Sequence, residues 1–394
     1  MIRRFIILLT VFIFIQAHAA PSKTIKTWYD TSKTQLKESY TVIKGANDSL
    51  IKQGKYVIWY QNKQLWQEGN FDNNKLTGLW KDYYDNGTLK QELHYDKDML
   101  SGVVLYYYPT GKIQQQLNYS NDQLNGKTEN YYENGGIQEI SSYKNNLLNG
   151  EVKAFYEDGK LQLTKSYING LEEGSVIMYF ENGKMKEKSL KKAGLYEGLY
   201  TDFFKEFADG TINKTCFYKN GKLNGVMTGY YPSGNVKLKC TYENNQIIGT
   251  STEFYDSTQL ILESGKYLNN KKVGIWKSFF LNGSIYSTGK YLNAKLDSVW
   301  NVYYSDGKLK LKGIYKDGKA TGEWLFYYET GELKNRGSYI NDNKQGLWFT
   351  YYTTGEVLSK INFNLGLRHG IATSYSKKGK LQDTTNYTKG EVDK

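Results

Sequence analysis

The chain has 394 residues, with 52 Lys and Arg against 40 Asp and Glu and a net charge of +12. Its 39 glycines, 37 tyrosines, 15% aromatic residues and three prolines argue against disorder and fit many short strands joined by glycine turns. A hydrophobic content of 39% and a mean hydropathy of -0.65 argue against a thick-cored globular protein and suit a thin, elongated one.

The N-terminus is of a different kind. Arg3 and Arg4 precede an apolar run from Phe5 to Ile15, followed by Gln16-Ala17-His18-Ala19-Ala20. This is the order of a secretory signal peptide, residues 1–19, with cleavage expected after Ala19. A membrane anchor is the rival, but the run falls short of the ~20 residues a spanning helix needs. No cysteine follows it to carry a lipid, and no transmembrane segment is expected after cleavage. The exported chain would reside in the periplasm, on the cell surface or outside the cell. It would keep 50 basic and 40 acidic residues, with Arg336 and Arg368 its only arginines. Its lysines are dispersed over every repeat. That favours solubility and weak attraction to anionic polymers, not the focused arginine patches of specific nucleic-acid recognition.

Residues 20–53, with Trp28-Tyr29 and Leu36, read as a degenerate opening repeat or cap. From there self-similarity dominates. Units start at Gly54, Gly78, Gly102, Gly126, Gly150, Gly174 and Gly198, and continue at Gly225, Gly249, Gly274, Ser298, Gly322, Gly346 and Gly370. The spacing is 24 residues except after Gly198, where it is 27, and after Gly249, where it is 25. Taking that first residue as position zero, an aromatic pair stands at positions five and six, and a glycine at nine. Position eleven is aliphatic and position seventeen usually aromatic, as in Leu333 and Tyr339.

These spacings predict a β-hairpin per unit. Positions one to six form a strand, a turn such as Asp85-Asn86-Gly87 reverses it, and positions ten to seventeen return. Pro109 and Pro232 stand in the same turn, where a fixed φ is useful. One hairpin is marginal alone, so the hairpins are expected to stack edge to edge in a long antiparallel meander, one unit every ~10 Å and on the order of 130 Å in all. Alternation places positions eleven, fifteen and seventeen on one face of the returning strand. Positions two and six share a face of the outgoing strand, and position five points the other way.

The unit G-x-W-x-x-Y-Y-x-x-G-x-L-x-x-x-x-x-Y, as in Gly322 to Tyr339, resembles the MORN-repeat variant family over residues 54–390. The resemblance implies an all-β, elongated twisted antiparallel sheet of about fourteen tandem 24-residue hairpin repeats, acting as an interaction or tethering platform. It also implies an antitoxin-like role, as described for some bacterial members, though an export signal sits awkwardly with a cytoplasmic antitoxin. The pattern lapses at Lys191, where an aromatic is expected, and at a three-residue insertion between Phe203 and Gly210. Residues 185–225 are therefore irregular and either a specialised site or simple drift. Residues 391–394 are left as a tail.

No catalytic constellation appears. His94 and His369, the histidines that survive cleavage, stand eleven units apart, on the order of 100 Å in such a sheet, so no Ser-His-Asp or Cys-His site forms from them. The recurrent acids Asp85, Glu133, Glu157, Glu181 and Glu329 sit beside turn glycines and read as turn initiators ahead of calcium ligands. No phosphate loop or zinc spacing is present, so no enzyme, metal or cofactor is expected. Cys216 and Cys240 both fall at position fifteen of consecutive units. Equivalent positions lie two strands apart, about 9.6 Å, beyond bridging reach, so two free buried thiols and no disulfide are expected.

One repeated feature stands out as a binding candidate. Trp59, Tyr83, Tyr107, Tyr131, Phe155, Tyr179, Phe203, Tyr230, Phe254, Phe279, Tyr303, Tyr327, Tyr351 and Tyr375 form an unbroken aromatic row at position five. The row is either an exposed surface for proteins or sugars, or a stack of rings that stiffens the sheet. The leading function is an exported, non-catalytic scaffold binding a protein or envelope partner over an extended face. The rival is a cell-wall or polysaccharide reader, because the Trp and Tyr-Tyr spacing is similar to that of choline- and glucan-binding repeats. Those repeats are shorter and end in a Gly-Trp step, whereas here the inter-hairpin segment reads Asn73 to Gly78.

Overall fold

A computed structural model describes residues 21–393; the signal peptide lies outside them. The described residues form 38 strands, one short 3-10 turn and no α-helix. The chain divides into two compact units. One is built from the chain up to Leu161 plus Tyr167–Leu171, the other from Gln162–Ser166 plus the chain from Glu172 onward.

In both units the strands follow one another as antiparallel hairpins. In the first, Lys75–Tyr83 pairs with Leu89–Asp96, Trp80 standing opposite Leu93. In the second, Lys319–Tyr327 pairs with Leu333–Ile340, Trp324 opposite Gly337. The strands begin earlier than the spacing predicts. Asn73 and Asn74 have φ of 50° and 65°, so the inter-hairpin segment is a two-residue type I′ turn and Lys75 is already in a strand. Position six falls in the other turn, where the Gly87 amide donates to the Tyr84 carbonyl at 2.9 Å and Gly87 takes φ 85°. The three-residue insertion enlarges that same turn: the Phe204 amide donates to Thr211 O at 2.9 Å, and Ile212 resumes the strand.

The glycine at position zero marks a bulge. Between the pairs Asn70↔Thr77 and Glu68↔Lys81 the outgoing strand carries two extra residues, and Gly78 turns there with φ 71°. Its counterparts lie between φ 61° and 120°, and Ser298 is forced to 122°. The bulge bends each outgoing strand and swings position two across its neighbour. At the N-terminus, Ser22–Trp28 and Leu36–Lys44 form an opening hairpin that Leu50–Trp59 extends. At the other end Glu391–Val392 pairs with Tyr387 and Thr388, so the segment read as a tail continues the meander.

In each unit the core is an apolar layer on the face carrying positions two, fifteen and seventeen. In the first unit Trp80, Leu93, Val104 and Leu117 are buried there, flanked by Phe71, Tyr95 and Tyr119. In the second unit Trp276, Trp324 and Trp348 are buried. Trp348 packs edge-on against Tyr339 at 5.1 Å and Phe363 at 6.2 Å. Position fifteen decides which side chain fits at position two of the following hairpin. A Cβ on Gly69, Gly265, Gly289, Gly313 or Gly337 would lie 2.0–2.3 Å from the ring of Trp80, Trp276, Trp300, Trp324 or Trp348. Where position fifteen is larger, the next residue at position two is smaller: Leu93 precedes Val104, and Leu117 precedes Thr128.

Two hydrogen-bond ladders join successive hairpins. At position six, Tyr60, Tyr84, Tyr108 and Tyr132 donate their hydroxyls at 2.8 Å to the position-five carbonyls of Tyr83, Tyr107, Tyr131 and Phe155. Tyr304 and Tyr328 repeat this at 2.8 Å in the second unit. At the type I′ turns, the Asn146 carboxamide oxygen accepts from the Leu124 amide at 2.7 Å, while the Asn146 amide donates to the Leu124 carbonyl at 3.0 Å. Asp98, Asp122, Asn245 and Asp342 staple their hairpins to the preceding one in the same way.

Candidate interaction surface

The aromatic row at position five lies opposite the Trp layer, and all fourteen members are half-buried. Their contacts are with charged neighbours. In the first unit Tyr83 donates to Glu68 at 3.1 Å, Tyr107 to Glu92 at 3.0 Å and Tyr131 to Glu129 at 2.8 Å. Burial, reinforced by the adjacent carboxylate, pushes Tyr83 and Tyr107 up to about 12 and raises Tyr131. Lys81 in turn pairs with Glu92 at 3.0 Å. In the second unit a cation takes that place at Tyr375, whose ring lies 5.4 Å from Lys360, while Arg336 lies 4.7 Å from the ring of Phe349, a position-three neighbour of the row. Phe349 also stacks on Tyr351 at 6.2 Å.

The irregular stretch, residues 185–225, is distinctive on both faces. On the Trp-layer side, buried Glu187 accepts hydrogen bonds from Ser189 at 2.8 Å, Tyr196 at 3.3 Å and Tyr200 at 3.4 Å. Burial, then this carboxylate, pushes Tyr196 up to about 12 and Tyr200 higher still. Lys191 stands where an aromatic was expected and sets its ammonium 3.3 Å from the Tyr196 ring centroid. Asp202, opposite Glu187, pairs with Lys214 at 3.2 Å through Oδ2 and leaves its Oδ1 buried without a hydrogen-bond partner among the described residues.

On the opposite side the same stretch exposes an apolar row. Leu199 faces Phe217 directly, and the pairs Lys188↔Thr201 and Thr215↔Thr228 set Leu190 beside Leu199 and Phe217 beside Val226. These four side chains are 46–49% exposed across four neighbouring strands. Ser175 and Thr241 bound the row, pairing with Leu190 and Val226, while Lys188, Lys192 and Lys219 share its strands and face. Position one is also apolar and exposed at Leu79, Val103, Ile275, Val299, Leu347 and Ile371, and Val299 stands opposite Ile314. Other hairpins place Lys127 opposite Ser142 or Glu323 opposite Ser338. What sets this stretch apart is that position sixteen is apolar in two consecutive units. The sequence signal was present as apolar residues at positions one and sixteen of consecutive units, but positions five and seventeen repeat so strongly that they masked it.

His94 bonds the Val103 carbonyl through Nδ1 at 2.7 Å. Asp85, Glu133, Glu157, Glu181 and Glu329 lie in the turns, and no group of three or more His, Cys, Asp or Glu among the described residues is placed to hold a metal. Cys216 and Cys240 are free, buried and pushed up by burial. The strand carrying Met227, which pairs with Cys240, runs between them. No helix among the described residues is long and apolar enough to cross a membrane.

The MORN repeat variant model matches twelve segments: 52–73, 76–97, 100–121, 124–145, 148–169, 172–190, 223–244, 272–293, 296–317, 320–341, 344–365 and 368–389. The chain belongs to the MORN repeat variant family. As a member it is a repeat scaffold, and the two longest unmatched internal stretches, 191–222 and 245–271, fall on the two lengthened units. No curated protein matches it. Among solved structures, the Photorhabdus luminescens Tc holotoxin pore (TccC3-D651A mutation) aligns with 12% identity and a TM-score of 0.16, over 90% of this chain and 22% of that one. The TcdB2-TccC3-Cdc42 complex aligns with 11% identity and a TM-score of 0.13, over 91% of this chain and 24% of that one. The chain thus spans about a quarter of the length of these structures, and at such scores the likeness carries no argument.

Proposed function

We propose that this chain is an exported, non-catalytic scaffold that docks a protein partner on the apolar row Leu190, Leu199, Phe217 and Val226. The observation that supports this reading is the row itself: four contiguous, half-exposed apolar side chains, formed because two consecutive units are apolar at position sixteen as well as at position one. Exposed apolar patches with a charged rim are what protein interfaces use at their centres. The lysine rim favours a partner with an acidic border around an apolar contact. The aromatic row on the same face extends the surface without supplying the anchor. Export rests on Arg3, Arg4, the apolar run and the Ala17–Ala19 site, and predicts a mature N-terminus at Ala20.

The test is retention of partners by the mature chain immobilised on a support, against its L199K/F217S variant. A protein retained by the first and lost by the second supports docking here. Retention of a cell-wall polysaccharide, undiminished in the variant, would replace this reading with the glycan one. Mass spectrometry of the chain recovered from its source checks the Ala20 terminus.

A further inference from the structure

The Trp layer of the second unit covers four consecutive hairpins, and position two is otherwise Val176, Tyr200, Met227, Ser251 and Ala372. Position two holds Trp at residues 276, 300, 324 and 348, each on a glycine of the preceding hairpin, but Ser at 251, beside Cys240. Over Ser251 lies a cavity of about 200 Å³. Its walls are Met227, Leu238, Tyr242 and Tyr267, with Trp276 closing one end. The space suits one side chain or small amphiphile and is below the size of drug-like pockets, roughly 300 Å³ and up.

The rim is charged in an unusual way. Glu253 and Glu263 stand directly opposite each other across the hairpin, an arrangement that costs stability between like charges. Lys272 compensates only one of them. Its ammonium lies 3.0 Å from Glu263 and 3.7 Å from the Trp276 ring centroid. Glu253 has no hydrogen bond or ion pair among the described residues, so the rim carries a net negative charge from two carboxylates and one ammonium. Lys239 and Lys277 point to the other face, being adjacent in sequence to the buried Cys240 and Trp276.

We infer that this cavity binds an alkylammonium group, its chain against Met227 and Leu238 and its charge between Glu253 and the faces of Tyr242 and Tyr267. Aromatic walls beside a carboxylate are the chemistry that holds such cations. Two sources share it: a lysine side chain of a polypeptide, or a free polyamine. The site is on the opposite face from the apolar row, so the inference stands independently of the docking reading.

The test uses the mature chain with 13C-methyl methionine and follows the Met227 methyl resonance during titration with pentylammonium, pentanol and pentanoate. Pentylammonium is expected to shift Met227 and bind most tightly. E253Q should weaken it roughly threefold, the scale of one part-exposed ion pair, while leaving pentanol unchanged. The C240G/S251W variant rebuilds the Gly–Trp pair seen at Gly289 and Trp300, fills the cavity and should abolish the shift with the fold intact. Tighter binding of an acetyl-Gly-Lys-Gly-amide peptide than of spermidine would identify the polypeptide source, and the reverse order the polyamine. No Met227 shift with pentylammonium, an equal response to pentanoate, or a shift surviving in the filled variant would overturn the inference.

Discussion

Replacing Gly337 by alanine adds one methyl group, and the structure states where it would go. The new Cβ would lie 2.1 Å from Cδ2, 2.3 Å from Cε2 and 2.5 Å from Cγ of Trp348. Carbon atoms pack at ~3.5–4.0 Å, so the ring would have to retreat by more than an ångström. It has nowhere to go. Tyr339 and Phe363 hold it edge-on, its Nε1–H donates to the Ser338 carbonyl at 3.2 Å, and the Lys344 ammonium sits 4.3 Å above it. Overpacking of this kind costs about 1–3 kcal/mol, and because the atoms met belong to a ring rather than to the end of a flexible chain G337A falls at the upper end. W348V alone opens a cavity at a cost of about 3 kcal/mol. The double variant G337L/W348V copies the Leu93–Val104 pair of the first unit, so its cost should fall well below the sum, with a coupling of about 2 kcal/mol. Because hairpin arrays open locally, the readout is hydrogen exchange of the amides in Leu333–Ile340 and Asn343–Tyr351, alongside urea unfolding followed by tryptophan fluorescence. A G337A variant within 0.5 kcal/mol of the parent, or a double variant as costly as both singles together, would refute the size-matching argument.

Removing the Tyr328 hydroxyl with phenylalanine deletes its 2.8 Å bond to the Tyr351 carbonyl, and should cost about 1 kcal/mol, read as faster local exchange in that hairpin. Ser298 occupies a glycine position at φ 122°, so S298G should stabilise the chain by about 1 kcal/mol; a loss of stability would mean that the serine side chain contributes a contact of its own. Tyr83, Tyr107 and Tyr196 titrate near 12 in the folded chain against the ordinary value of 10. The unfolded chain therefore gives up these protons first. Their contribution is complete below pH 10 and is lost as the pH rises to 12, so the urea midpoint should fall across that window while tyrosinate absorbance lags that of free tyrosine. A midpoint independent of pH between those values would contradict the burial of these hydroxyls.

Much of the fold is legible in the sequence because each unit repeats the same local instructions. Gly87 and its counterparts need the left-handed region, and the alternation about Trp80 and Tyr95 assigns the buried face. The register of neighbouring hairpins, which carries Met227 between Cys216 and Cys240, follows from the same spacing. The inter-hairpin segment was harder to read. Asn73 and Asn74 are not followed directly by glycine, and their tight turn is held by a bond that the Lys52 amide, 22 residues away, donates to the Asn74 carboxamide oxygen. The pairing of Gly337 with Trp348 is visible only when positions fifteen and two are compared between successive units, since each looks like ordinary drift within its own unit. The apolar row escaped for another reason: Leu190, Leu199, Phe217 and Val226 are unremarkable singly, and only strand register makes them one surface.

A photo-crosslinking amino acid placed at position 217, in cells that produce the chain, tests the apolar row most directly when compared with the same label at 338, the equivalent position of a polar hairpin. The account predicts a discrete protein adduct at 217 that is absent at 338 and is lost when Leu199 is replaced by lysine. Adducts of equal intensity at both positions, or none at 217 where the aromatic row does crosslink, would contradict it.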